Sequence, residues 1–418
     1  MTRKINVNDV LIYLAGLTST WQLLTLGGIN FFTWISVVFV IFGIVNSPKI
    51  ESDRKVFLFM LFIGTSLAGN LVLDKHFLEN IYDWQGTCFN SSIVFMIIFL
   101  VYCILKRSDS KKLNIFFRGF YYSCCVQVFW CYLQLLVHTL CGIEINELVF
   151  AEILKMWTTI DTTNVRGQYN LVGLNLNGGI LTPILLFAFI NSKNRFFKVA
   201  IIALFFLSGN TTTLISGILL LFYLFYYELI IKKKITKKIL VEGLTAIVLL
   251  MIVFVSQTQL LERCIEFIYS FNDRIESILT KQWTEGSTFV HYRYYESIPY
   301  IVSEIGIFRL LAGFGFRCAG MPFVIYFNQY PDIVYGTESD PVSMLYGIGL
   351  LGTIVFYSIL AEIILKGKKI DRNYFLFGII IFISGIFYSL QMNWLLLVEF
   401  LFLNAIKRNI KLVQLIDK

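Results

Sequence analysis

Two arginines stand in polar surroundings that could bind an anion. Arg166 lies in the segment NVRGQYN, and Arg293 lies in HYRYYE. The planar guanidinium group can hold phosphate or carboxylate through two parallel hydrogen bonds, which a lysine cannot do. Tyr294 and Tyr295 could stack on sugar rings, although tyrosines are also common where a helix leaves a membrane. We therefore predict that Arg166 and Arg293 bind a phosphate-bearing substrate, with the two tyrosines as substrate contacts.

Two acids, Glu338 and Asp340, precede an apolar stretch in the segment GTESDP. A carboxylate at this place could act as a general base on a hydroxyl group. The alternative is a structural role, because Ser339 or Asp340 ahead of Pro341 would also make a normal helix N-cap. His291 is a further candidate for the base.

Amide side chains open the apolar stretch that follows Arg166. Asn170 and Asn177 belong to this group. Amides at the end of a membrane helix are costly unless they face a polar cavity, so we predict that both contact substrate. The polar turn SGNTTT at 208–213 follows a short apolar stretch and should lie below the membrane surface. It must line a cavity or pack on protein, and we expect a water-accessible pocket beside it.

The composition sets the environment of these residues. Of 418 residues, 57% are hydrophobic and 15% are charged, and the mean hydropathy is +0.72. A soluble domain carries roughly 25% charged residues, so these charges are too few to cover a water-facing surface. The composition excludes a soluble enzyme, a DNA-binding domain and a disulfide-rich secreted module. It predicts an all-α polytopic integral membrane protein that resides in the lipid bilayer and binds no nucleic acid.

Twelve apolar stretches predict membrane helices, which need about 20 residues to cross the hydrocarbon core. They lie near 9–26, 30–46, 56–73, 88–105, 119–141, 169–190, 196–209, 212–231, 239–256, 341–365, 373–389 and 392–406.

Basic residues predict the orientation, because cytoplasmic loops carry an excess of Lys and Arg. With both termini in the cytoplasm, the loops 47–55, 106–118, 191–198, 232–238 and 366–372 fall inside. Only nine of the 35 basic residues then fall outside, and six of the nine are arginines. They are Lys75, Lys155, Arg166, Arg263, Arg274, Lys281, Arg293, Arg309 and Arg317, of which Arg317 is a further candidate substrate contact.

This layout divides the chain into three parts. Residues 1–256 carry nine membrane helices with an external loop at 142–168. Residues 257–340 form a large external loop, in which 257–279 predicts an amphipathic helix on the membrane surface. Residues 341–418 carry three more helices and a cytoplasmic tail.

Cofactor motifs are missing from the sequence. The three histidines have no Cys or His neighbours at metal-ligand spacing, so we predict no metal site. The GIGLLG segment at 347–352 matches a dinucleotide motif, but no strand precedes it. Its small residues are better explained by close packing between helices. We predict that the protein uses no cofactor.

The order of these features resembles that of the bacterial O-antigen and capsule repeat-unit polymerases and their relatives, the O-antigen ligases. The resemblance covers about 170–360. It is carried by Arg166, Gly167 and Asn177 in VRGQYNLVGLNLNGG, by the turn SGNTTTLISG, by Arg293 followed by LAGFG, and by Glu338 or Asp340 ahead of Gly349 and Gly352. The ligases often have a histidine where this chain has the two acids, which favours a polymerase.

The resemblance implies a metal-independent glycosyltransferase in the bacterial inner membrane. Donor and acceptor would be oligosaccharides linked to undecaprenyl pyrophosphate, and a chain-length regulator is left open as a partner. Arg166 and Arg293 would hold the donor pyrophosphate, and Glu338 or Asp340 would deprotonate the acceptor hydroxyl, with His291 as an outside candidate.

Two other functions stay open. A ligase would share the donor and differ in the acceptor. A flippase or other transporter built from two similar halves would usually have a long cytoplasmic loop between them, whereas here the long loop is external and late in the chain.

Overall fold

The computed structural model consists mostly of helices. It describes residues 6–46, 51–73, 84–158, 160, 170–227, 298–299, 302–316, 318–322, 339–391 and 393–416. The helices of the first half are α1 (Val7–Thr18), α2 (Phe31–Asn46), α3 (Arg54–Leu73), α4 (Trp84–Arg107), α5 (Ser110–Cys141), α6 (Leu181–Asn191), α7 (Arg195–Leu207) and α8 (Thr211–Tyr226). Those of the second half are α9 (Ile307–Ala312), α10 (Asp340–Ile370), α11 (Arg372–Phe387) and α12 (Asn393–Lys407).

Shorter elements lie between the helices. Strands β1 (Thr25–Leu26) and β2 (Ile29–Asn30) pair antiparallel, with Thr25 opposite Asn30. A π-helix covers Glu147–Ile153, and 3₁₀ turns cover Gly178–Ile180 and Val413–Leu415.

Three of the described helical segments are long and apolar enough to cross a membrane: Phe89–Arg107, Ser110–Cys141 and Asp340–Ile370. Eleven of the twelve predicted spans overlap a described helix, and the span at 239–256 lies outside the described residues. The helical fold is therefore confirmed, and the number of twelve crossings stays a prediction. The amphipathic helix at 257–279 also lies outside the described residues.

Two predicted spans are wrong at one end. The span 9–26 ends early, because α1 stops at Thr18 and Ser19 turns its hydroxyl back to the Gly16 carbonyl at 2.7 Å. Gly27 and Gly28, both with positive φ, then close the β1–β2 hairpin. The span 169–190 starts late, because α6 begins at Leu181. The residues before it are held by side chains of α5.

The core surrounds α6 and α12. Every residue of α6 is buried, and so is every residue from 394 to 406 in α12. Phenylalanine rings join these two helices to α5: Phe402 stacks on Phe117 with ring centroids 5.4 Å apart, and Phe187 lies 6.2 Å from Phe402. Such aromatic pairs add to the burial of apolar surface.

Several loops that the excess of basic residues predicts to be cytoplasmic lie close together at one end of the helices. Lys55 pairs with Glu362 at 2.7 Å, and Lys407 pairs with Asp53. Arg408 donates to the carbonyl of Ser108 at 2.7 Å. These contacts bring together the residues around 55, 108, 366 and 408, as the predicted layout requires.

The chain divides into two compact units. The first contains Met1–Ser216 and Ile298–Lys418, and the second contains Gly217–Ser297. In the second unit the structure describes the end of α8 and little more. All the contacts described below belong to the first unit.

Candidate functional site

Helix α5 holds the segment 170–179, here called the amide loop, through two glutamines. Gln127 and Gln134 are seven residues apart and therefore lie on one face of the helix. Gln127 Oε1 accepts the backbone N–H of Leu174 at 2.7 Å, and Gln134 Oε1 accepts that of Gly173 at 2.8 Å. Because side chains take these N–H groups, the chain stays non-helical until Gly178. This explains why the predicted span at 169–190 begins too early.

The backbone at Gly173 is adapted to this attachment. Gly173 has φ +63°, and a Cβ there would overlap Gln127 Oε1. The Gly173 carbonyl accepts from Asn146 Nδ2 at 2.8 Å, and Asn146 Oδ1 in turn accepts from Trp130 Nε1 at 2.7 Å. The amide loop is thus fixed from two sides, by α5 and by the residue just before the π-helix.

The two ends of the amide loop carry two of the predicted substrate contacts, Asn170 and Asn177. The Asn170 carboxamide packs against Gly178, which has no Cβ to obstruct it. Asn170 Oδ1 is buried and has no hydrogen-bond partner within the described part of the chain. Asn177 is half-buried, and its Oδ1 accepts the Gly179 N–H at 3.0 Å. Asn170 and Asn177 therefore lie in the same loop, and their contact with substrate stays a prediction.

The polar turn at 208–213 packs against the amide loop. The Ser208 carbonyl accepts the N–H of Leu171 at 2.8 Å, and Thr213 Oγ1 donates to the carbonyl of Gly178 at 3.2 Å. Ser208 and Thr213 are both buried. The turn therefore packs on protein, and the water-accessible pocket expected beside it stays a prediction.

Buried hydroxyl groups continue from this turn to α11. Ser216 Oγ lies 2.6 Å from Ser384 Oγ, and it also donates to Thr182 Oγ1 at 3.4 Å. Ser384 begins the segment 384–391, here called the lip segment, which ends α11 and leads to α12. The ring of Tyr388 in the lip segment packs against Gly179 of the amide loop.

Asp340 binds the lip segment. Its Oδ1 accepts from Ser389 Oγ at 3.2 Å, from Leu390 N at 2.9 Å and from Gln391 N at 3.2 Å. Among the described residues, its Oδ2 receives only a long contact of 3.5 Å from Gln391 Nε2. The Asp340 side chain does not cap its own helix, and Ser339 at the N-cap makes no side-chain capping bond. Ser339 is therefore the N-cap residue of α10 by position, and its carbonyl accepts the N–H of Ser343 at 2.8 Å, while the Asp340 side chain binds the lip segment instead.

A second buried acid, Glu399 of α12, lies near Asp340. The carboxamide nitrogen of Gln391 is 3.5 Å from both Asp340 Oδ2 and Glu399 Oε1. Asp340 is 3% exposed and Glu399 is 1% exposed. Sequence reasoning missed Glu399 and Gln391, although an acid inside the apolar run LLLVEFLF was a visible signal. Two carboxyl groups on either side of one amide form the polar centre of the candidate site.

The glycines of LAGFG and GIGLLG meet at the start of α10. The N–H of Gly315 donates to the carbonyl of Gly347 at 2.9 Å. Gly349 has φ +71° and interrupts the helix, and a Cβ there would overlap the carbonyl oxygen of Leu311. The prediction that GIGLLG serves close packing is confirmed.

The remaining predicted site residues lie outside the described residues. They are Arg166, His291, Arg293, Tyr294, Tyr295, Arg317 and Glu338. Of the predicted set, the structure describes Asn170, Asn177 and Asp340, and it links the two asparagines to Asp340 indirectly, through the contact of Tyr388 with Gly179 and through the lip segment.

No known family model matches this sequence, and no curated protein matches it.

Proposed function

We propose that the chain is a membrane glycosyltransferase that polymerises lipid-linked oligosaccharide repeat units. The reaction would take place on the outer face of the bacterial cytoplasmic membrane, with O-antigen or capsular polysaccharide as the product. The donor is a growing glycan on undecaprenyl pyrophosphate, and the acceptor is one repeat unit on the same lipid. The resemblance to the repeat-unit polymerases is one support, and the arrangement of the polar segments is the other.

The observation that carries this proposal is the contact between three motif segments that are far apart in sequence. The amide loop touches the polar turn through Thr213 and the lip segment through Tyr388. The lip segment in turn binds Asp340. Buried polar groups inside an apolar bundle are costly and are therefore found mainly at functional sites. Their concentration at one place supports a polar reaction centre there.

The chemistry requires a leaving group, an attacking hydroxyl and a base. The acceptor hydroxyl attacks the anomeric carbon of the donor, the bond from that carbon to the pyrophosphate oxygen breaks, and the hydroxyl proton passes to a carboxylate. Asp340 suits this step because Oδ1 is held by three donors, while Oδ2 has one long contact within the part of the chain that the structure describes. Glu338 is the second candidate for the same proton.

The departing pyrophosphate needs positive charge. Arg166 and Arg293 are the proposed ligands, since guanidinium groups aimed at the leaving oxygens would stabilise the charge that develops there. Asn170 and Asn177 would orient sugar hydroxyls, for which the unpartnered Oδ1 of Asn170 offers an acceptor.

The test uses the source bacterium with its own gene deleted. Arg166→Ala, Arg293→Ala, Glu338→Ala and Asp340→Ala are introduced separately, and surface glycan is separated on a gel. Glu304→Gln, which changes an exposed acid, is the matched control and should keep the full ladder. Membrane abundance of each variant is measured by immunoblot.

The gel distinguishes the functions. Loss of the ladder with the single-repeat product retained means that export and ligation still work, as polymerisation requires. Loss of the single-repeat product as well would indicate a flippase or a ligase instead. An intact ladder in all four variants would remove the site assignment.

A further inference from the structure

Gln127 joins two separate non-helical segments at the middle of α5. Its Nε2 donates to the Thr20 carbonyl at 2.7 Å and to Thr20 Oγ1 at 3.1 Å. Its Oε1 accepts the N–H of Leu174 at 2.7 Å. The side chain is completely buried. One carboxamide therefore satisfies the turn after α1 and the amide loop at the same time.

The surrounding contacts reinforce this junction. Thr20 Oγ1 also lies 2.6 Å from Ser123 Oγ, which is one turn earlier on α5. The N–H of Leu23 donates to the carbonyl of Leu174 at 3.1 Å. The amide loop and the turn after α1 are thus bound to each other, and both are bound to Gln127.

We infer that Gln127 is a positioning residue for the candidate site: its carboxamide sets the place of the amide loop, and with it that of Asn170 and Asn177. This inference rests on the proposed function. The loop is short, and its far end touches both the polar turn and the lip segment. A displacement at Leu174 is therefore transmitted to the residues that would meet the substrate.

Removing the Gln127 carboxamide should release the loop. Gln127→Met has nearly the same length but leaves the N–H of Leu174 and the carbonyl of Thr20 without their partner. A buried polar group that loses its partner favours any arrangement in which water can reach it. The amide loop has room to move away from α5, because Leu176, two residues after the one that Gln127 binds, is 45% exposed.

The chain offers a matched control at Gln22. Its Oε1 accepts the N–H of Leu176, in the same loop, at 3.4 Å and in an exposed position. Gln22→Met makes the same chemical change to a contact that water can replace. A positioning role predicts a large effect for Gln127→Met and almost none for Gln22→Met.

The first measurement reports position and needs no activity. Asn177→Cys is introduced, the protein is placed in nanodiscs, and the rate of maleimide labelling of the new thiol is followed by peptide mass spectrometry. With Gln127→Met added we expect the labelling rate to rise about tenfold. This is the factor by which the equilibrium constant for moving the loop away from α5 should increase when the hydrogen bonds of Gln127 are lost. With Gln22→Met added we expect the rate of the parent.

The second measurement reports the reaction, in protein that retains Asn177. Purified protein is assayed with the lipid-linked repeat unit, and KM and kcat are separated. Misplaced binding amides should raise KM about tenfold with a smaller change in kcat, because binding contacts are lost while the base is retained. A general loss of folded protein would lower kcat and leave KM unchanged.

Gln134→Met is the second variant, in case Gln127→Met does not fold. It removes the hydrogen bond to Gly173 N and leaves the Thr20 contacts, so the same two effects should appear at smaller size.

Labelling and KM that both rise support the inference. Labelling at the parental rate in both glutamine variants overturns it, and so does faster labelling with an unchanged KM. If the unsubstituted protein makes no polymer, the proposed function fails, while the labelling comparison still decides whether Gln127 sets the loop.

Discussion

The two ends of α10 each bury an acid, but they stabilise it by different means. Glu362, near the end of the helix, pairs with Lys55 at 2.7 Å and with Lys366 at 2.6 Å. Asp340, at the start of the helix, accepts only from neutral groups: one hydroxyl, two backbone N–H groups and one amide. Within the described part of the chain no ion pair involves Asp340.

Under the proposed function, this difference separates an acid with a structural role from the proposed base. Two lysines neutralise the charge of Glu362, and the ion pair with Lys55 links α3 to α10. The position of Asp340 is fixed by its donors, and no cation among the described residues neutralises its charge. A carboxylate held in this way keeps its capacity to take a proton from a ligand. The comparison therefore predicts opposite consequences for the same chemical change at the two ends.

The largest difference is expected from neutralising each acid. Asp340→Asn keeps an oxygen for the lip segment but removes the proton acceptor, so polymer formation should fall by about 10²–10⁴-fold. Glu362→Gln should leave it within about twofold, because the two lysines that lose their ion pairs are partly exposed and can be solvated by water. The measurement is the polymerisation rate of purified protein at equal amounts. Equal losses in the two variants would contradict the comparison.

Gly349 interrupts α10 between Asp340 and Glu362. A substitution at this glycine is expected to have the next largest effect. Gly349→Ala places a Cβ at φ +71° and against the Leu311 carbonyl, which should destabilise the protein by about 3 kcal/mol. Gly306→Ala is the control, because a Cβ there has nothing within 4 Å and the backbone is not left-handed. Thermal unfolding in detergent gives both values. A Gly349→Ala protein as stable as the control would mean that α9 and α10 can separate freely.

A smaller effect is expected from crowding Asp340. A Cβ on Gly385 would lie 2.5 Å from Asp340 Oδ2, so Gly385→Ala must shift the carboxylate. Overpacking of this kind costs about 1–3 kcal/mol, and polymer yield should fall with it. Gly64→Ala adds the same methyl group where nothing lies within 4 Å and should change neither. Polymer yield and unfolding temperature are measured together, and an unchanged yield in Gly385→Ala would argue against a base at this position.

The smallest effect is expected from salt. The Lys55 and Lys366 side chains are 37% and 64% exposed, and exposed ion pairs contribute about 0–1 kcal/mol. Raising the salt concentration from 0.1 to about 1 M screens such pairs and should lower the unfolding temperature slightly in the parent and less in Glu362→Gln. Asp340→Asn should respond to salt as the parent does, because neutral donors are not screened.

The length of apolar runs was enough to predict where most helices lie. It was not enough to predict where a helix begins when a distant side chain accepts the hydrogen bond of a backbone N–H group. The start of α6 depends on Gln127 and Gln134, which precede it by more than 40 residues, and no local pattern near 170 reports them. Two glutamines seven residues apart inside the apolar helix α5 were the available signal.

The candidate site was predictable as a set of motifs but not as a set of contacts. Asn170, Asn177 and Asp340 were recognised from polar residues at the ends of apolar runs. Their connection passes through Thr213, Ser384 and Tyr388, ordinary residues whose importance appears only when the chain is folded. Glu399 was hidden because one acid does not interrupt a hydrophobic run of that length.

The hydrogen-bond donors to Asp340 come later in the sequence than Asp340 itself, which determines when these contacts can form during synthesis. The acceptors for the amide loop, Gln127 and Gln134, leave the ribosome before the loop does, so that its N–H groups find partners at once. Asp340 instead precedes Leu390 and Gln391 by 50 and 51 residues, which at about 5–20 residues per second is a wait of several seconds. During that interval the carboxylate must stay in water at the membrane surface. The contacts of Asp340 form only when the lip segment has been made, so a chain truncated before residue 384 would lack the donors that hold this carboxylate.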